Sequence, residues 1–125
     1  MRADFVRKLG QAVSAMSAAV IVYATLRPNL STDIADDSLL HFMLFFPLGM
    51  GGALWMAQLD PTLQKKARLG ILIVALFFAA ATEIAQGPIE GRTPSLSDFF
   101  ADAAGAGLGL LAGGWVASRA RRSGN

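Results

Sequence analysis

Apolar residues fall into four long runs, roughly Leu9 to Leu26, Ser38 to Gln58, Arg68 to Gln86 and Asp98 to Ala117. Each has about 18 to 21 residues, enough for a helix to cross a hydrocarbon core of about 30 Å. The pattern predicts an all-α, polytopic membrane bundle of four transmembrane helices, forming a single membrane domain over residues 1–125. Pro28 should end the first helix, and Pro47 should kink the second at mid-span. Asp60-Pro61 opens a turn carrying Lys65, Lys66 and Arg68. The loop Gly87 to Ser97 ends on Ser95-Leu96-Ser97-Asp98, a capping-box spacing that predicts the start of the fourth helix. Within that helix Gly105, Gly109 and Gly113 recur every four residues, a seam where another backbone can approach closely. Loops of about ten residues make sequential helices antiparallel.

Charge then gives the four runs a direction. One side of the predicted bundle holds Arg2, Arg7, Lys8, Lys65, Lys66, Arg68, Arg119, Arg121 and Arg122, with Asp4 and Asp60, for a net +7. The other holds Arg27 and Arg92 with Asp33, Asp36, Asp37, Glu83, Glu90, Asp98 and Asp102, for a net −5. The positive-inside rule places both termini in the cytoplasm of a cell membrane and the acidic end outside. Tyr23 and Arg27 suit an outer-interface anchor. Arg7 and Lys8 before the first run resemble a signal peptide, but its length and the lack of a small-x-small cleavage site favour a retained anchor. Asn29-Leu30-Ser31 matches a glycosylation acceptor, a pattern frequent by chance.

Composition narrows the chemistry. Only 16% of residues are charged against 54% hydrophobic, too little charge for a water-facing surface. The basic ends suit anionic lipids. No aromatic-studded basic face points to nucleic acid. There is no cysteine, hence no disulfide or thiolate chemistry, and the single histidine excludes a multi-histidine zinc site. No cofactor or metal is assigned.

The predicted topology brings His41 at the start of the second helix, Glu83 and Gln86 at the end of the third, and Asp98 and Asp102 at the start of the fourth to one depth. At 1.5 Å per residue all lie within about 10 Å of the outer boundary. Arg92, in the connecting loop, can reach the same layer. Three carboxylates so close repel one another, and Arg92 is the nearby cation expected to pair with Glu83, Asp98 or Asp102. A purely structural polar knot competes with a pocket open to the outside. Ionisable groups a turn or more inside a span usually face the protein interior, which favours the pocket.

At this point the residues resemble a known family. Asp37-Ser38-Leu39-Leu40-His41-Phe42, followed by an aromatic run and Leu48-Gly49, looks like the first motif of the VanZ-like family. Glu83-Ile84-Ala85-Gln86, Gly91-Arg92-Thr93-Pro94-Ser95-Leu96-Ser97-Asp98, Asp102 and Gly105 look like its second. The resemblance covers about residues 37–113. It places the family's polar positions on Asp37, His41, Glu83, Gln86, Arg92, Asp98 and Asp102. This chain has Ser38 where the family usually has lysine, and Asp102 where it usually has asparagine. The resemblance implies a small bacterial integral membrane protein of the cell envelope. The family's named member is associated with low-level resistance to the glycopeptide teicoplanin, by a mechanism not established.

Three functions follow as expectations. The first is a binding protein whose outward polar pocket takes a lipid-linked, peptidoglycan-related or glycopeptide ligand, with membrane lipids as neighbours and Arg92 on an anionic head group. The second is an intramembrane enzyme on a lipid-linked substrate. There His41 would be the acid or base, oriented by Glu83 or Asp98, although no serine or cysteine nucleophile stands at a recognisable spacing. The third is a small proton-coupled transporter, disfavoured because no ionisable residue lies near the bilayer midplane. A carboxylate-bound divalent ion at Glu83, Asp98 and Asp102 is a further alternative.

Overall fold

The structure, a computed structural model, describes residues 2–28 and 37–122. The glycosylation pattern at residues 29–31, and Asp33 and Asp36, lie outside the described residues. Four helices follow in order: α1 (Arg2–Leu26), α2 (Asp37–Trp55), α3 (Pro61–Gln86) and α4 (Leu96–Arg122). A short 3₁₀ turn, Met56–Gln58, follows α2. All four are long and apolar enough to span a membrane, with mean hydropathies of 1.6, 1.6, 2.0 and 1.3 in chain order. No strand occurs among the described residues.

Several helix ends differ from the sequence expectation: α1 begins at Arg2 rather than near Leu9, and α4 runs on past Ala117 to Arg122. The third helix starts at Pro61, not near Arg68, because Asp60 caps it. The Asp60 carboxylate accepts from the Thr62 and Leu63 amides at 3.0 and 3.1 Å, and Pro61 fits the first turn, where an amide would lack a partner anyway. Lys65, Lys66 and Arg68 therefore ride on a helix rather than in a turn. The α2–α3 connection is correspondingly shorter than ten residues. Gln64 stitches it by donating to the Ala57 and Leu59 carbonyls at 2.9 and 3.0 Å. Pro47 sits inside α2, which runs on through it.

Sequential helices are antiparallel, yet the tightest pair is α2 with α4, which run parallel. A Cβ on Gly105 would strike the Phe42 carbonyl, one on Gly109 the Phe46 carbonyl, and one on Gly113 the Met50 carbonyl. Gly49 answers from α2 against Ala106. Lipid tails are as apolar as leucine, so helices gain nothing by hiding leucines from them. Close backbone contact supplies dispersion and weak Cα–H···O bonds instead. A second crossing of this kind joins α1 to α2, where a Cβ on Gly10 would meet the Gly51 carbonyl and the Trp55 amide.

Side-chain distribution is the reverse of a water-soluble protein. Phe77 is 75% exposed and Leu111 68%, whereas Asp102 is fully buried. The larger core cluster is small, built on Ile21, Phe45, Ala75, Ala79 and Ala106. Aromatics and arginines mark the two ends. Arg27 donates to the Tyr23 hydroxyl at 2.7 Å, and the Arg119 guanidinium lies 4.3 Å from the Trp115 ring centre. Such pairs suit a membrane–water boundary.

Candidate functional site

The glycine stripe of α4 continues toward its N-terminus as Asp102 and Asp98. The face that is backbone against backbone at mid-helix therefore becomes carboxylate against α2 at the end. There Asp98 meets Ser38, and Asp102 meets His41. On α3 the buried face Ala75, Ala79, Thr82, Glu83 and Gln86 turns polar at the same level. Three helices thus deliver their first or last turns to one layer.

At its centre His41 Nδ1 lies 3.0 Å from Asp102 Oδ1 and 3.7 Å from Glu83 Oε1. All three residues are buried. The other Glu83 oxygen, Oε2, accepts the Ser95 backbone N–H at 2.7 Å. Two buried oxygens, Glu83 Oε1 and Asp102 Oδ2, have no hydrogen-bond partner among the described residues.

The capping box does not close. Its acid, Asp98, turns across the interface and accepts from the Ser38 hydroxyl at 2.6 Å. The Ser95 N–H that a closed box would satisfy goes to Glu83 on α3 instead. Ser95 Oγ pairs with Ser97 Oγ at 2.7 Å. Ser38 thus engages Asp98 through a hydrogen bond.

Arg92 departs from expectation. Among the described residues it forms no ion pair with Glu83, Asp98 or Asp102. Its Nη1 is buried without a hydrogen-bond partner among the described residues. The loop carries it elsewhere. Gly91 adopts a left-handed φ of 74°, a value that suits glycine, and the Arg92 amide bonds back to the Ile89 carbonyl at 3.1 Å. The turn brings Arg92 to a narrow cleft shared with His41, Gln86, Thr82 and Thr25, with space for about one water. Asp37 is exposed in the first turn of α2, and no hydrogen bond or ion pair among the described residues joins it to the buried trio.

The sequence reading singled out neither Thr25 nor Thr82 for the cleft. Thr82 had a signal, since it shares the face of Glu83 and Gln86 at helical spacing. Thr25 had one too, since Ser14, Ser17 and Thr25 fall on one face of α1 at helical spacing. Below the cleft a larger apolar cavity of about 570 Å³ opens between α1, α2 and α3, lined by residues such as Leu48, Gly52, Ile71 and Phe78. Phe45, on the cleft, packs on Phe78, on the cavity, with ring centres 5.9 Å apart.

No curated protein and no solved structure matches this chain. A family model described as VanZ/LLP1 matches residues 5–116. That span extends the resemblance back through α1 and takes in the whole polar layer. On that match, over a bundle whose helices can all cross a membrane, the chain belongs to the VanZ/LLP1 family.

Proposed function

We propose that this membrane protein binds the anionic head group of a lipid-linked cell-envelope molecule, a peptidoglycan-precursor type of diphosphate lipid, at its acidic end. The observation that carries the reading is the buried, unpartnered Nη1 of Arg92 beside the cleft lined by His41, Thr82 and Gln86. A buried guanidinium N–H without an acceptor is costly, and a phosphate oxygen would satisfy it with a strong charge-assisted bond. The cleft holds about one water, too little for a diphosphate, so the head group would sit at its mouth under the 87–95 loop and meet Arg92 once that side chain turns outward. The apolar cavity beyond Phe45 and Phe78 suits the lipid's chain. The charge asymmetry favours an outward-facing cleft in the cytoplasmic membrane. There, capture of precursor or glycopeptide fits a role in glycopeptide resistance.

The test is binding of a short-chain polyprenyl diphosphate to the full chain in nanodiscs. We expect Arg92→Ala to weaken binding by about tenfold or more, the scale of one charge-assisted bond. Because Arg92 holds no carboxylate among the described residues, the melting temperature should move little. Unchanged affinity in Arg92→Ala would overturn the reading.

A second reading rests on the His41–Asp102 contact. With Nδ1 committed to Asp102, Nε2 is left for the cleft, the arrangement of an oriented general base. Turnover of the same diphosphate, lost in His41→Gln with binding retained, would favour the enzyme.

A further inference from the structure

Burial of His41, Glu83 and Asp102 poses a charge problem that the described protein atoms leave open. Two carboxylates share a dry layer with one imidazole. Asp102 is fully buried, Glu83 is 8% exposed and His41 is 6% exposed. Among the described residues Arg92 forms no ion pair with them, and Asp98 accepts from Ser38. A protonated His41 would cancel one negative charge and leave the other. Two carboxylate oxygens, one from each acid, still lack a hydrogen-bond partner among the described residues. Isolated ionised carboxylates are strongly disfavoured away from water, and buried charges are typically paired or bound to metal.

The geometry is close to a coordination shell. One ligand atom from each of the three residues lies within 4.8 Å of the others. The two separations from His41 Nδ1 are 3.0 and 3.7 Å. With metal–ligand bonds near 2.1 Å, atoms of one shell sit about 3 to 4.2 Å apart. A small inward movement therefore closes the site. The set differs from the all-carboxylate alternative considered from sequence: His41 enters and Asp98 leaves.

We propose that His41, Glu83 and Asp102 bind one divalent transition cation, of the Zn²⁺ or Mn²⁺ class. An imidazole nitrogen with two carboxylates suits such borderline ions better than Mg²⁺ or Ca²⁺, which prefer oxygen throughout. A neutral imidazole and two carboxylates carry a charge of −2, which the cation cancels. Binding displaces any proton held between His41 Nδ1 and Asp102. Three protein ligands leave coordination positions open, and His41 also lines the cleft that Arg92 enters. A bound cation and Arg92 would then face the same anion. The site does not depend on the head-group reading, because the metal alone is the probe.

The full chain in nanodiscs, stripped with chelator, is titrated separately with Zn²⁺, Mn²⁺ and Mg²⁺. Bound metal and melting temperature are measured. We expect one Zn²⁺ or Mn²⁺ per chain with a higher melting temperature, and no comparable effect of Mg²⁺. Asp102→Asn and Glu83→Gln, both near-isosteric, should each weaken binding by about tenfold or more, whereas Asp98→Asn should not. Co²⁺ bound to the wild-type chain should show d–d bands that Asp102→Asn shifts or removes. Absence of stoichiometric Zn²⁺, Mn²⁺ or Co²⁺ on folded wild-type protein would overturn the proposal. So would equal affinity in wild type, Asp102→Asn and Glu83→Gln.

Discussion

Glu83 uses its two oxygens differently. Oε1 faces the buried cluster, and Oε2 accepts the Ser95 N–H, one of the amides at the α4 entry that have no partner within the helix. Glu83→Ala removes that acceptor and leaves a partly buried donor without it, at a cost of about 1 kcal/mol. Glu83→Gln retains an acceptor oxygen and should keep most of the contact. Amide exchange around residues 95–99 should therefore rise in Glu83→Ala and stay near wild type in Glu83→Gln. Wild-type exchange in the alanine variant would show that the contact does not hold the α4 entry. At this scale the sequence was legible as far as depth. Topology and a fixed rise per residue put His41, Glu83 and Asp102 in one layer. It could not say which way a carboxylate turns. Ser95 and Asp98 have the spacing of a closed box, but Ser38 comes from another helix, and its hydroxyl draws Asp98 across. For the same reason Arg92 was expected among the carboxylates, where the left-handed Gly91 turn does not take it.

The α2–α4 interface makes the sharpest statement at the level of elements. Gly109 lies against the Phe46 carbonyl and the Met50 amide, so any side chain there pushes two backbones apart. Gly107, two residues away, has open space where its Cβ would go. We expect Gly109→Leu to lower folded yield and melting temperature in detergent. Gly107→Ala should be neutral, or stabilise by up to about 1 kcal/mol, because alanine is the better helix former. Equal melting of wild type and Gly109→Leu would show that the seam does not hold the pair. Glycines every four residues made the α4 half of this contact legible. Its partner face on α2 was not, since Phe42, Phe46 and Met50 offer carbonyls rather than a side-chain pattern. The Gly10–Gly51 crossing was also missed, although Gly10 and Ser14, four apart on α1, are a small-residue pair that meets Gly51. Helix starts were legible where a cap could be weighed. At Asp60-Pro61 the charges of Lys65 and Lys66 drew the boundary too late, although lysines on a helix end can reach the interface with their heads in water.

Over the whole molecule, the bundle gathers its charge at two ends. The start of α1, the start of α3 and the end of α4 bring Arg7, Lys8, Lys65, Lys66, Arg68, Arg119, Arg121 and Arg122 to one end. The buried acids lie at the other, within a few turns of the starts of α2 and α4 and the end of α3. Each lysine or arginine near an anionic cytoplasmic leaflet is worth about 1 kcal/mol, and moving several such charges across the membrane is costlier still. Asp4 sits among Arg7 and Lys8 and pairs with both, so it subtracts from that end without reversing its sign. From this bias we expect one orientation, with both termini in the cytoplasm and the His41 layer outside. A phosphatase reporter at the C-terminus should be inactive, and the same reporter inserted between α1 and α2 should be active. Replacing Arg119, Arg121 and Arg122 with glutamine should leave that orientation in place, because the basic residues of α1 and α3 remain. An active phosphatase at the C-terminus of the wild-type chain would put the Arg92 cleft on the cytoplasmic face. It would then have no access to ligands outside the cell, and the proposed capture of envelope molecules there would fail, whatever the cleft binds.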